Sequence, residues 1–345
     1  MAEHFLISRT DAIGDVILSL PIAFALKEKY PNAKITWIGK KYTEEIIKAA
    51  SIVDAFFNYD DWLNLKNATR IEQLKKLNAS AIIHVFPRKE LATAAKKAGI
   101  KIRIGTSHRI FHWLTCNKLV NLGRKNSALH ESQLNLRLLE PLGIKNKSLE
   151  QLIQQGVYLK AQVSLPSTII KLFQANKIKI ILHPRSQGSA REWGLNNYSE
   201  LIKLLPSDTF QIFITGTAKE GEAIQDFLTT HQNQITNLTG KLTLAELITF
   251  IDHCDGLIAA STGPLHIAAA LGKHALGIFP PIRPMHPGRW APLGPHATYL
   301  CAIDSCEKCR KLPSGCSCMG LVTLNFRLLI FSSVKFKLQE RNLKS

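Results

Sequence analysis

Short apolar runs recur along this chain, and each gives way to a loop and then a helical stretch. Residues 4–8 (HFLIS) form the first such run. It is too short for a helix and suits a strand buried in a sheet. A loop containing Gly14 follows, then a helical pattern over residues 16–30 that stops at Pro31-Asn32. Further strands are expected at residues 34–38, 52–57, 81–85 and 100–104, with a helix at 42–50. This β-α-β-α rhythm predicts a parallel sheet with helices on both faces. A helix is expected at residues 127–142 with Gly143 as its stop, and residues 145–166 read as irregular. The rhythm then restarts. Strands are expected at 179–182, 210–215, 256–259 and 275–279, and helices at 198–205, 219–229, 244–253 and 264–271. Thr243 and Glu246 have the spacing of a capping box. A length of 345 residues fits about two domains. The expected division is residues 1–165, 166–319 and a basic tail over 320–345.

Charge narrows the partners. The formal net charge is +18. Such a surplus favours an anion: nucleic acid, an acidic membrane surface or a phosphorylated substrate. The densest block, residues 84–125, holds ten basic side chains and one acidic one, Glu90. Nucleic acid has no support beyond charge, because no finger spacing, RNP aromatics or helix-turn-helix pattern is present. No apolar run reaches the roughly 18 residues of a spanning helix, and the first residues lack the pattern of a signal peptide. Five of the seven cysteines fall between Cys301 and Cys318, unlike a disulfide framework. A cytoplasmic protein is expected. The Cys306-x-x-Cys309 and Cys316-x-Cys318 pairs have spacing compatible with zinc, but equally with reduced structural thiols or a disulfide.

Four segments carry candidate chemistry. RTDAIGDVILSLP, residues 9–21, follows the first strand at the sheet edge where open α/β folds bind ligands. Asp15 there is either a first-turn acid favoured by the helix dipole or a general base. HPRSQGSAREW, residues 183–193, puts Arg185, Ser186, Ser189 and Arg191 around Gly188. That chemistry suits a diphosphate, since Arg offers phosphate a bidentate fork; a solvated surface loop has the same composition. Glu220 lies in GTAKEGE, residues 216–222, where it either meets ribose hydroxyls or serves as a first-turn charge. In AASTGPLHIAAALG, residues 259–272, Ser261, Thr262, Gly263 and His266 surround a helix start, a natural phosphate site. An ordinary capped helix reads the same way. In the first half, Arg88, Lys96, Lys97 and Lys101 fit an acidic, phosphorylated acceptor, or else solvated helix faces.

Together, in this order and over roughly residues 5–319, these segments resemble glycosyltransferase family nine, the bacterial heptosyltransferases of the lipopolysaccharide inner core. The resemblance implies an α/β GT-B architecture of two Rossmann-like domains with parallel sheets facing a central cleft. It implies inverting transfer from ADP-heptose, with no cofactor and no required metal ion, by a protein that touches the inner membrane face peripherally. The acceptor would sit on the N-terminal domain and the nucleotide-sugar on the C-terminal one. The family's catalytic Asp falls on Asp15 and its basic residue near the donor phosphates on Arg191. The donor-holding segment falls on Ser261, Thr262, Gly263 and His266, and the ribose-contacting acid on Glu220. Ser261 stands where several heptosyltransferases carry Asp. Another nucleotide-hexose donor, or a catalytically weak binding protein of the same fold, are the alternatives.

Overall fold

A computed structural model describes residues 3–124, 127–188, 190–282, 285–301, 306–308 and 318–319. The chain divides into two compact units, one ending at Gln162 and the next beginning at Val163.

The first unit contains β1 (His4–Ser8), β2 (Lys34–Gly39), β3 (Ala55–Asn58), β4 (Ala81–His84), β5 (Ile102–Thr106) and β6 (Lys118–Val120). They form one parallel sheet in the order β3-β2-β1-β4-β5-β6. Every residue of β1 and β4 is buried, which is why these segments read as continuous apolar runs. On one face, Leu6, Ile38 and Ile82 pack with Trp62, Leu74 and Leu91 from the helices.

The second unit contains β7 (Ile178–His183), β8 (Phe210–Ile214), β9 (Ile235–Asn237), β10 (Gly256–Ala260), β11 (His274–Ile278) and β12 (Ala297–Leu300). Its sheet is also parallel, in the order β12-β11-β10-β7-β8-β9. Counted from each unit's own first strand, both sheets have the order 3-2-1-4-5-6, the doubly wound arrangement of dinucleotide-binding folds. The order reverses between β1 and β4 in one unit and between β7 and β10 in the other. Ligands of such sheets bind beyond the strand ends at that reversal.

Several expected elements differ. The helix expected over residues 16–30 is two helices, Ile13–Ile17 and Pro21–Lys29. Pro21 has no amide to continue the first, so it opens the second. The helix expected over 127–142 is Glu131–Leu136 followed by a 3-10 turn, Arg137–Leu142, that contains Pro141. Residues 145–166 are not wholly irregular: Ser148 and Gln151 form a capping box that starts the helix Leu149–Gln155. The helix expected over 219–229 is split into Ala218–Glu222 and Gln225–Thr230. The Thr243–Glu246 capping box is present, on a helix running Leu244–His253. The tail over 320–345 lies outside the described residues.

Candidate active site

The loop after β1 is organised by Arg9, whose side chain is almost fully buried. Its Nε donates to Asp11 Oδ1 at 2.7 Å, and Nη2 donates to Asp15 Oδ1. Nη1 faces Glu131 Oε1 and Asn135 Oδ1, each at 3.4 Å. Both partners lie on the helix Glu131–Leu136, and Arg124 Nη1 also donates to Glu131. Arg124 Nη2 reaches Asn135 Oδ1 at 3.0 Å. Asp15 sits in the first turn of Ile13–Ile17, and its carbonyl accepts from Ser19 Oγ at 2.7 Å. The cluster thus holds three carboxylates and two guanidinium groups. Burial pushes the Asp11 carboxyl up to about 6, with Arg9 pulling down and Asp15 adding to the rise.

Arg88 joins this edge. It donates from Nε to Thr10 Oγ1 at 2.9 Å and from Nη2 to the Thr10 carbonyl at 3.1 Å. Its guanidinium lies over the Phe86 ring at 4.7 Å. Lys96, Lys97 and Lys101 do not join it. Lys96 and Lys97 end the helix Lys89–Lys97, which starts after β4 and runs back along the sheet, and Lys101 precedes β5. All three are exposed at the opposite edge from Asp15. These three lysines therefore do not share the hydrogen-bonded cluster in which Arg88 contacts Thr10.

In the second unit the loop after β7 is held by Glu192, a residue the sequence reading passed over. Its Oε2 pairs with Arg185 Nη1 at 2.8 Å, and its Oε1 accepts from the Ser186 amide at 2.9 Å. Ser186 Oγ donates to the Ala190 carbonyl at 2.9 Å. Ser186 is therefore spent on the loop itself. The backbone turns through Gln187 and Gly188, both at positive φ. Arg191 is half-buried just beyond this turn, and Ser189 lies outside the described residues. At the base of the loop His183 is buried, its Nδ1 3.0 Å from Thr215 Oγ1. Burial drops its imidazole to about 4, against the opposing pull of Glu220. Glu220 is likewise buried, and its Oε2 accepts from the Thr217 amide at 2.7 Å and from Thr217 Oγ1 at 3.0 Å. It lies in the first turn of Ala218–Glu222 and completes a capping box with Thr217.

Beyond β10, Ser261 and Thr262 lead into the helix Gly263–Ala270. Thr262 is the N-cap residue, yet its side chain does not cap. Its Oγ1 is buried without a hydrogen-bond partner, beside amides that an N-terminus leaves unsatisfied. His266 is buried in the first turn. An unspent hydroxyl beside a helix start at the reversal point offers donors of the kind that suit an anion. Among the described residues, no group of three or more His, Cys, Asp or Glu is arranged to hold a metal ion. Cys309 and Cys316 lie outside those residues, while Cys318 packs in the second core.

A profile of glycosyltransferase family 9 (heptosyltransferase) matches residues 97–319, well over half the chain. This chain belongs to glycosyltransferase family 9. It is a glycosyltransferase of the heptosyltransferase type. It is similar to the lipopolysaccharide core heptosyltransferase OpsX of Haemophilus influenzae, 24% identical over 281 residues, 79% of this chain and 78% of that one. Among solved structures, a family 9 glycosyltransferase of Veillonella parvula superposes with a TM-score of 0.75 at 18% identity, covering 98% of each chain. The Escherichia coli ADP-heptose heptosyltransferase II superposes at 0.68 with 19% identity, covering 88% of this chain and 91% of that one. These likenesses support the GT-B fold of a family 9 chain. No helix among the described residues is long and apolar enough to cross a membrane.

Proposed function

We propose that this glycosyltransferase moves a heptose from ADP-heptose to the inner core of lipopolysaccharide, with inversion, at the cytoplasmic face of the inner membrane. The observation that carries the reading is the placement of Asp15. It stands at the strand-order reversal of the first unit, with one carboxylate oxygen fixed by buried Arg9. In the proposed step an acceptor hydroxyl oxygen bonds to the anomeric carbon of the donor. The bond from that carbon to the diphosphate oxygen breaks, and ADP leaves with the electron pair. The acceptor proton passes to Asp15. On the second unit, Arg191, Thr262 and the amides at the start of Gly263–Ala270 meet the charge that develops on the diphosphate. Ser261 and His266 flank that anion site, and Arg185 with its partner Glu192 shapes the neighbouring loop. One such preorganised donor is worth about 3 kcal/mol in the transition state. Arg88, fixed beside Thr10, is the first unit's cation for an acidic group of the acceptor.

The test pairs binding with turnover. ADP-heptose should raise the thermal midpoint more than UDP-, GDP- or dTDP-hexoses, because a ligand of the folded state alone stabilises it. Asp15→Asn should keep that shift and lower transfer to a heptose-free core acceptor by at least a hundredfold. Stabilisation by another nucleotide-sugar in place of ADP-heptose would overturn the donor, and undiminished transfer by the variant would overturn the base.

A further inference from the structure

The helix Ile110–Thr115 has two unlike faces. His112 and Thr115 are buried against the sheet. Ile110, Trp113 and Leu114 point away, at 87%, 65% and 72% exposure. Their i, i+3, i+4 spacing makes one stripe, and it is the reverse of what a surface helix ordinarily shows to water. Scattered exposed apolar residues need no explanation, but three large ones on one turn do. Trp113 Nε1 donates to the Ser107 carbonyl at 2.9 Å. The indole is thereby pinned in its outward pose with its polar atom already satisfied.

The rim of this stripe is basic. Lys96 Nζ donates to the carbonyl of Leu114 at 2.8 Å. Lys101 lies alongside, where its carbonyl accepts from Asn117 Nδ2 at 2.8 Å. Arg109 precedes the helix and Lys118 opens the edge strand β6. Arg109, Lys96, Lys97, Lys101 and Lys118 are all exposed. No acidic residue occurs between Glu90 and Glu131. Three apolar side chains are too little surface for a stable protein interface, which needs about 1,000 Å². They suffice for insertion at the headgroup level, where Trp is favoured and where a basic rim meets anionic lipid.

We propose that the face formed by Ile110, Trp113 and Leu114 with its rim of lysines and Arg109 docks the protein on an anionic phospholipid bilayer. The proposal deepens the proposed function, since a lipid-anchored acceptor is met at a bilayer, but it is decided by vesicle binding and not by sugar transfer. It also gives Lys96, Lys97 and Lys101 a common task on the sheet edge away from Asp15.

The experiment is co-sedimentation of the full chain with phosphatidylglycerol–phosphatidylcholine vesicles and with phosphatidylcholine alone. Binding is expected to the anionic vesicles at low salt and to fall as salt is raised. Trp113→Ser with Leu114→Ser should weaken it by at least tenfold, and Lys96→Glu, Lys97→Glu and Lys101→Glu by roughly fivefold or more per charge. Brominated lipid should quench wild-type fluorescence, and Trp113→Phe should remove that quenching while retaining most binding. The thermal midpoint and transfer to a delipidated, water-soluble acceptor should be unchanged in the Trp113/Leu114 variant. Absence of wild-type binding to anionic vesicles would overturn the proposal, as would undiminished binding by that variant. So would a dimer that the variant abolishes in a chain that ignores vesicles. Loss of transfer in wild type and variant alike would count against the proposed function and leave the docking surface standing.

Discussion

Arg9 is surrounded by more carboxylate than one guanidinium neutralises, and Arg124 makes up only part of the difference. Burial raises the Asp11 carboxyl, with neighbouring Asp15 adding to the rise against the pull of Arg9, and the consequence is measurable. Its folded value is about 6 against 3.8 for the unperturbed group. The folded chain therefore binds this proton more tightly than the unfolded one. Stability from this group is present below about pH 4 and is lost as pH rises through about 6, an effect of a few kcal/mol at most. His84 and His183, lowered by burial to about 3 and about 4, tilt the curve the other way. The difference between wild type and Asp11→Asn isolates the carboxyl: Asp11→Asn should gain on wild type between pH 4 and 6 in chemical denaturation. Glu220 offers a second discrimination. Glu220→Ala should cost about 1 kcal/mol through the lost capping box. Glu220→Gln keeps an acceptor for the Thr217 amide and should recover most of it, so a residual rise in the donor Michaelis constant with Gln would report a contact to the ligand beyond the cap.

The central strands were legible in the sequence because both faces of a parallel sheet are covered, which forces unbroken apolar runs such as HFLIS and GLIAA. The edge strands Lys118–Val120, Ile235–Asn237 and Ala297–Leu300 were not. Three or four half-exposed residues carry no usable period. Asp15 and the Thr262 helix start were legible because each follows a strand end. Arg9 and Glu131 were not, since their pairing spans 122 positions, and Glu192 was passed over because a carboxylate inside a basic loop reads as ordinary charge until its bonds to Arg185 and Ser186 are seen. Gly105 shows how tightly one such junction is built. A Cβ there would lie 2.5 Å from His112 Nδ1 and 2.9 Å from Cys116 Sγ. His112 is buried with its Nδ1 3.0 Å from the Thr106 carbonyl. Gly105→Ala should therefore lower stability by about 1–3 kcal/mol through overpacking, read as a fall in the denaturation midpoint.

Both units have the same strand order, and each carries its candidate groups beyond the two strands at the reversal. The +18 surplus acts over the whole surface. An acidic, phosphorylated acceptor should be steered by that field, and steering weakens as the screening length falls to about 8 Å at physiological salt. The acceptor's kcat/KM should accordingly fall steeply between low and physiological ionic strength, more steeply than that of the same acceptor stripped of phosphates. Equal salt slopes for the two acceptors would count against the steering.

The Arg9–Glu131 contact joins residues 122 positions apart. Closing so long a loop is slow relative to pairing neighbouring strands. The loop bearing Asp15 is made within the first turn of synthesis, yet its guanidinium has no complete set of partners until the helix Glu131–Leu136 has left the ribosome. At about 5–20 residues per second that delay is several seconds or more. Within the first unit, the first helix is thus among the last parts to acquire its native surroundings: a nascent chain halted before residue 131 would carry the Arg9–Asp15 pair without the Glu131 and Asn135 contacts that complete the guanidinium's shell.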